Sequence, residues 1–150
     1  MSEFQDLYQE MILDHNRSPR NFRALENANH KAQGFNPLCG DRLTVYLQIK
    51  DDRVQDVSFQ GSGCAISKAS ASLMTASVKG KKLSEVQTLF ENFHQMLSLE
   101  TKASYDTKQL GKLAVFSGVC EYPARVKCAT LAWHTLRAGI EGGRKPVSTE

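Results

Sequence analysis

The sequence has no apolar run approaching the roughly 20 residues that a membrane-crossing helix needs. Its opening residues, Met1-Ser2-Glu3-Phe4-Gln5-Asp6, are polar and acidic, without the basic start and apolar centre of a secretory signal. Charge bias is weak as well. The 19 Lys and Arg residues against 16 Asp and Glu leave a net charge of +3, too mild to argue for nucleic acid or to demand an acidic partner. There is no C-x-x-C pair, and His15, His30, His94 and His134 are dispersed with no ligand spacing to one another. No internal repeat and no linker-like stretch interrupts the chain. These absences argue against a membrane or nucleic-acid protein and point to the cytoplasm. Thiols stay reduced there, so Cys39, Cys64, Cys120 and Cys128 read as metal-binding, reactive or inert buried thiols, not as a disulfide framework.

What is present suits one domain. A chain of 150 residues with ordinary apolar and charged fractions can bury a real core. The expectation is a single domain over 1–150 that ends in a loose tail from about residue 143. Phe4, Leu7, Tyr8, Met11 and Ile12 recur at helical spacing, predicting a helix from Ser2 to about His15 with Ser2 as its cap. Residues 20–38 show no period. Leu43–Lys50 and Val54–Gln60 read as a hairpin turned at Asp51-Asp52-Arg53, and Lys31–Phe35 offers a weaker third strand. A helix of small residues follows from Ala65 to Lys79, then one from Glu85 to about Leu99 capped by Ser84. A short helix around Leu110–Phe116 and a last one from Pro123 to about Ile140 complete the pattern. The fold class expected is α+β, a small three-stranded antiparallel sheet packed against several helices.

The stretch Asn36-Pro37-Leu38-Cys39-Gly40-Asp41 organises the rest. It sets a thiol and a carboxylate two residues apart where a turn becomes a strand, and Pro37 and Gly40 shape the turn. Cys64 follows Gly61-Ser62-Gly63 and precedes a helix, whose positive N-terminus lowers a thiol pKa. The alternative is a small residue buried under a tight turn. Cys128 lies in the last helix, and alone it would read as a core thiol. Arg125 and Lys127, within one turn of it, would favour a thiolate. Cys120 reads as a spare thiol. Three thiolates and one carboxylate can make a tetrahedral site, a set that suits zinc better than an iron–sulfur cluster.

Four segments in order then support a resemblance. They are Leu7–His15 with Ser18-Pro19-Arg20-Asn21, Asn36–Asp41, Gly61–Ser67, and Pro123–Trp133. Together they resemble the U-type iron–sulfur cluster assembly proteins (the NifU N-terminal and IscU-like family) from about Phe4 to Ile140. The fold that this implies is SufE/NifU-like. Scaffold members have a histidine just before the last cysteine; Lys127 stands there in this chain, and an extra segment lies around Phe90 to Tyr105. Both features are similar to the SufU kind, which accompanies the SUF system of Gram-positive bacteria.

The resemblance implies Zn2+ bound by Cys39, Asp41, Cys64 and Cys128. It implies a PLP-dependent cysteine desulfurase (SufS-like) as sulfur donor and SUF scaffold proteins downstream. The function expected is zinc-dependent sulfur transfer, with Cys39 as acceptor and Arg125 steadying the thiolate or the incoming persulfide. A scaffold that assembles a cluster on the same ligands is the alternative. A non-catalytic adaptor with purely structural zinc is the third reading.

Overall fold

The computed structural model describes residues 3–37, 39–98, 107–142 and 147–148, without the side chains of 3–7, 107, 120 and 121. The expected Ser2 cap, the side chains of Phe4 and Leu7, the Cys120 thiol and most of the loop expected over 102–108 lie outside these residues. Helix α1 (Glu3–Arg17) leads into strands β1 (His30–Asn36), β2 (Asp41–Lys50) and β3 (Arg53–Ser62). Helices α2 (Ala65–Val78), α3 (Leu83–Leu97) and α4 (Thr107–Leu110) follow, and a 3₁₀ segment over Gly111–Glu121 leads to α5 (Pro123–Glu141). Strand β4 (Val147–Ser148) ends the described chain. No described helix is long and apolar enough to cross a membrane.

The class is α+β as expected, but the sheet has four strands in the order β3-β2-β1-β4. The β1–β2 and β2–β3 pairs are antiparallel, whereas β4 runs parallel to β1, pairing Val147 with Gly34 and Ser148 with Phe35. The sheet is therefore mixed, and residues 147–148 correct the expectation of a loose tail throughout. A two-residue strand held by a distant partner carries no local pattern of its own.

Local chemistry explains most element boundaries. Asp51 and Asp52 both take left-handed backbone angles, φ 55° and 57°, giving the primed turn whose twist suits a tight hairpin. Helix α3 begins earlier than Ser84 implied. Lys82 holds the cap position, and its backbone N–H donates to the Glu85 carboxylate at 3.0 Å. Gly142, at φ 78°, terminates α5 in the left-handed conformation.

One face of the sheet presents Leu43, Val45 and Leu47 from β2 and Val57 and Phe59 from β3 to α2 and α5. The seam between sheet and helix is lined with small residues. A Cβ on Gly34 would collide with Thr135 Oγ1 and lie 3.1 Å from Leu131 Cδ1, so β1 and α5 are in backbone-close contact. Helix α2 joins its neighbours through hydroxyls as well as alanines. Ser70 Oγ donates to the Ala129 carbonyl at 2.5 Å, and Ser72 Oγ lies 2.6 Å from His15 Nδ1 and accepts from Arg20 N–H at 2.7 Å. His15 is thus a buried joint between α1 and α2. Trp133 stacks on Phe93 at 4.7 Å, fixing α5 against α3.

The edges of the sheet are covered unevenly. Strand β3 is guarded by the irregular segment before β1: Arg23 N–H donates to the Phe59 carbonyl, and Phe59 N–H to the Asn21 carbonyl, both at 3.0 Å. Farther along, Val54 N–H donates to the Lys81 carbonyl at 2.9 Å and Gly80 N–H to that of Val54 at 2.7 Å.

The Gly34 seam yields a stability prediction. Gly34→Val forces branched atoms into space held by Thr135 and Leu131, and overpacking of this kind costs about 1–3 kcal/mol. The urea midpoint should fall accordingly; an unchanged midpoint would mean that the seam can open without loss.

Candidate functional site

The site forms where β1 turns into β2. Asn36 ends β1 opposite Asp41, the first residue of β2. Between them Cys39 N–H donates to the Asn36 carbonyl at 3.3 Å, closing a turn with Pro37 in its second position. Gly40 completes the reversal at φ 71°. Cys39 therefore sits on a turn, half-buried, while Asp41 is pinned in a strand and fully buried.

The other two thiols come from helices. Cys64 caps α2, and its sulfur accepts from Ser67 N–H at 3.4 Å. Its own N–H donates to Asp41 Oδ1 at 2.7 Å, and its sulfur lies 3.8 Å from Asp41 Oδ2. Gly63 packs against that carboxylate so closely that a Cβ there would strike Oδ1. Cys128 is fully buried in the second turn of α5, with its sulfur 3.2 Å from Cys39 Sγ and 3.6 Å from the Ala124 carbonyl. Donor atoms of Cys39, Asp41 and Cys128 all lie within 4.8 Å of one another.

Electrostatics distinguish the thiols. A hydrogen bond from Cys128, with help from the Ser67 N–H, lowers the Cys64 pKa to about 6 against the opposing effects of burial and Asp41. Cys128 is pushed the other way, by that same bond to Cys64 and by burial. Arg125 stands beside this pair, and its hydrogen bond to Cys128 strengthens its hold on its own proton. Tyr8, half-buried, feels Arg125, Cys64 and Cys128; burial raises its pKa most.

The structure brings together the donor atoms of Cys39, Asp41 and Cys128; Cys64 adjoins them through Asp41, and Arg125 through Cys128. His30 lies away from the site. It pairs with Leu47 at the far end of β1, and its Nδ1 lies 2.9 Å from the Gly139 carbonyl. Two neighbours were missed. The side-chain Nδ2 of Asn36 lies 3.5 Å from Asp41 Oδ2 and 3.6 Å from Cys128 Sγ. Tyr8, one of the apolar period of α1, is the other. The sole sequence signal for Asn36 was its place inside the loop motif, which does not say where a side chain points.

The donor set fits a soft divalent cation. A carboxylate with no exposed surface costs several kcal/mol to bury unpaired. Among the described residues no Lys or Arg forms an ion pair with Asp41. Three sulfurs around one such carboxylate are the ligand types zinc prefers.

Comparison with known proteins identifies the family. Residues 7–141 match the model of the NifU-like N-terminal domain. The chain belongs to that family. It is 39% identical over 140 residues to the zinc-dependent sulfurtransferase SufU of Bacillus subtilis, covering 91% of this chain and 93% of that one. It is 38% identical over 143 residues to the iron–sulfur cluster assembly scaffold protein IscU of Thermotoga maritima, covering 95% and 99%. Among solved structures, a SUF-system iron–sulfur cluster assembly scaffold protein from Fervidobacterium islandicum superposes with a TM-score of 0.83 at 35% identity, covering 91% of this chain and 98% of that one. The NifU-like protein of Brucella abortus gives 0.81 at 26% identity, covering 94% and 96%. Family membership ties the chain to iron–sulfur cluster assembly, and its relatives carry both the transferase and the scaffold name.

The thiol electrostatics make a prediction for the metal-free protein. Cys64 alkylation by iodoacetamide, followed by peptide mass spectrometry, should rise as pH increases through about 6, because the thiolate predominates above its lowered pKa. Cys128 should stay unmodified over that range. A Cys64 profile centred at the ordinary thiol value, about 8.5, would contradict the hydrogen-bonded pair.

Proposed function

We propose that this protein is a zinc-dependent sulfurtransferase that takes sulfur from a PLP-dependent cysteine desulfurase in the cytoplasm and passes it on for iron–sulfur cluster assembly. The observation that carries the reading is the unequal anchoring of the donor set. Cys64 and Cys128 are held by helices and Asp41 by a strand, whereas Cys39 sits on a turn at the site's surface. Cys39, Asp41, Cys64 and Cys128 would hold the zinc. When bound, the ion would keep thiols deprotonated at neutral pH. The 39% identity to a protein named as a zinc-dependent sulfurtransferase supports the same choice.

In this reading Cys39 turns outward on its Gly40 hinge to meet the partner. Its thiolate attacks the outer sulfur of the desulfurase persulfide. A new S–S bond forms on Cys39, the donor's S–S bond breaks, and the desulfurase cysteine leaves as a thiolate. The transferred sulfur keeps its oxidation state, so no outside oxidant or reductant is needed. Arg125, exposed beside Cys128, offers a positive charge to the incoming persulfide. Asp41, Cys64 and Cys128 keep their places meanwhile. The whole of residues 1–150 would act as one domain in this role.

A scaffold function on the same donors is the second reading, favoured by the 38% identity to a full-length IscU. One experiment separates them. Protein purified without added metal should contain about one zinc per chain and no visible absorption, and Cys39→Ser should reduce desulfurase stimulation to the level of the desulfurase alone. Stimulation equal to wild type in Cys39→Ser would remove Cys39 as acceptor. Iron with sulfide and a brown chromophore would replace this reading with the scaffold one.

A further inference from the structure

We propose that Asn36 is the positioning residue of this site: it holds the donors that stay in place and ties down, through its main chain, the one that turns outward. The inference rests on the metal-site reading above and adds a residue that it does not use. Asn36 is fully buried at the last position of β1. Its Nδ2 reaches Asp41 Oδ2 at 3.5 Å and Cys128 Sγ at 3.6 Å, so one amide spans a strand carboxylate and a helix thiol. Its carbonyl accepts the Cys39 N–H at 3.3 Å. One residue thus touches three of the four donor-bearing residues, and it does so in two different ways.

The difference has a chemical consequence. An amide N–H can only donate, so both partners accept from it. It also withdraws electron density from the Cys128 sulfur, which weakens that sulfur as a donor to a metal while fixing its direction. Asn36 reaches Cys39 through its main chain, and the Cys39 sulfur lies 3.2 Å from the Cys128 sulfur that the amide orients. Asn36 therefore joins Asp41 and Cys128 by its side chain and the Cys39 turn by its carbonyl.

The test uses the full chain loaded with cobalt(II), whose thiolate charge-transfer band reports directly on sulfur donors. In Asn36→Ala the Cys128 sulfur loses its N–H partner and becomes the stronger electron donor. The band should move to longer wavelength, and zinc should be lost to a competing chelator at least tenfold more readily than from wild type. Far-UV circular dichroism should be unchanged. A folded Asn36→Ala with the wild-type band and wild-type zinc retention would overturn the inference, as would wild-type protein that shows no cobalt–thiolate band.

If Asn36→Ala fails to fold, the wild-type protein still decides. The side-chain amide protons of Asn36, followed by nitrogen-15 NMR, should exchange slowly with solvent and shift on zinc addition. Fast exchange, or no shift, would refute the assignment. Wild-type protein that shows the cobalt band but does not stimulate a desulfurase would sink the sulfur-transfer reading alone.

Discussion

The Asp41 carboxylate is the constraint on which the site depends. It is fully buried, and burial of an anion is tolerated only where donors surround it. The protein supplies two of them, the Cys64 N–H at the start of α2 and the Asn36 amide at the end of β1, while Gly63 packs closely against the carboxylate. The two donors belong to different elements. The carboxylate therefore fixes how the first hairpin meets the helix that follows it, and the thiols inherit their spacing from that junction.

Around this anchor the three sulfurs differ in what holds them. Cys64 is fixed by a helix start, Cys128 by a helix interior whose other residues pack against the sheet, and Cys39 by one turn. The glycine seam between β1 and α5 matters here. Because Gly34 lets the helix lie against the strand, α5 has no slack along which Cys128 could shift. Any movement in the site must fall on the Pro37–Gly40 turn.

Much of this was legible in the sequence. The hairpin, the Asp51-Asp52 turn, the small-residue helix and the last helix follow from local period and turn chemistry. The donors Cys39 and Asp41 declare themselves by a spacing of two in a proline–glycine turn. Their union with Cys64 and Cys128 rested on resemblance, because no local rule relates residues so far apart. The same limit explains the misses. Strand β4 exists only through its pairing with Gly34 and Phe35. The burial of His15 depends on Ser72, 57 residues away in the chain. The role of Asn36 depends on where its amide points, which the chain alone does not state.

The irregular segment before β1 bears on aggregation. A free strand edge is a template for pairing with another molecule, and folded proteins blunt such edges. Here backbone from Asn21 and Arg23 occupies the β3 edge at Phe59, and backbone from Gly80 and Lys81 occupies it at Val54. On the opposite side β4 covers β1 at Gly34 and Phe35. The stretch of β1 that β4 does not cover carries Lys31, whose ammonium lies 5.5 Å over the Tyr46 ring and places charge on the adjoining face. A loop that moves in the proposed transfer would expose backbone transiently. Guarded edges would let it do so in a crowded cell without recruiting a second copy into its sheet.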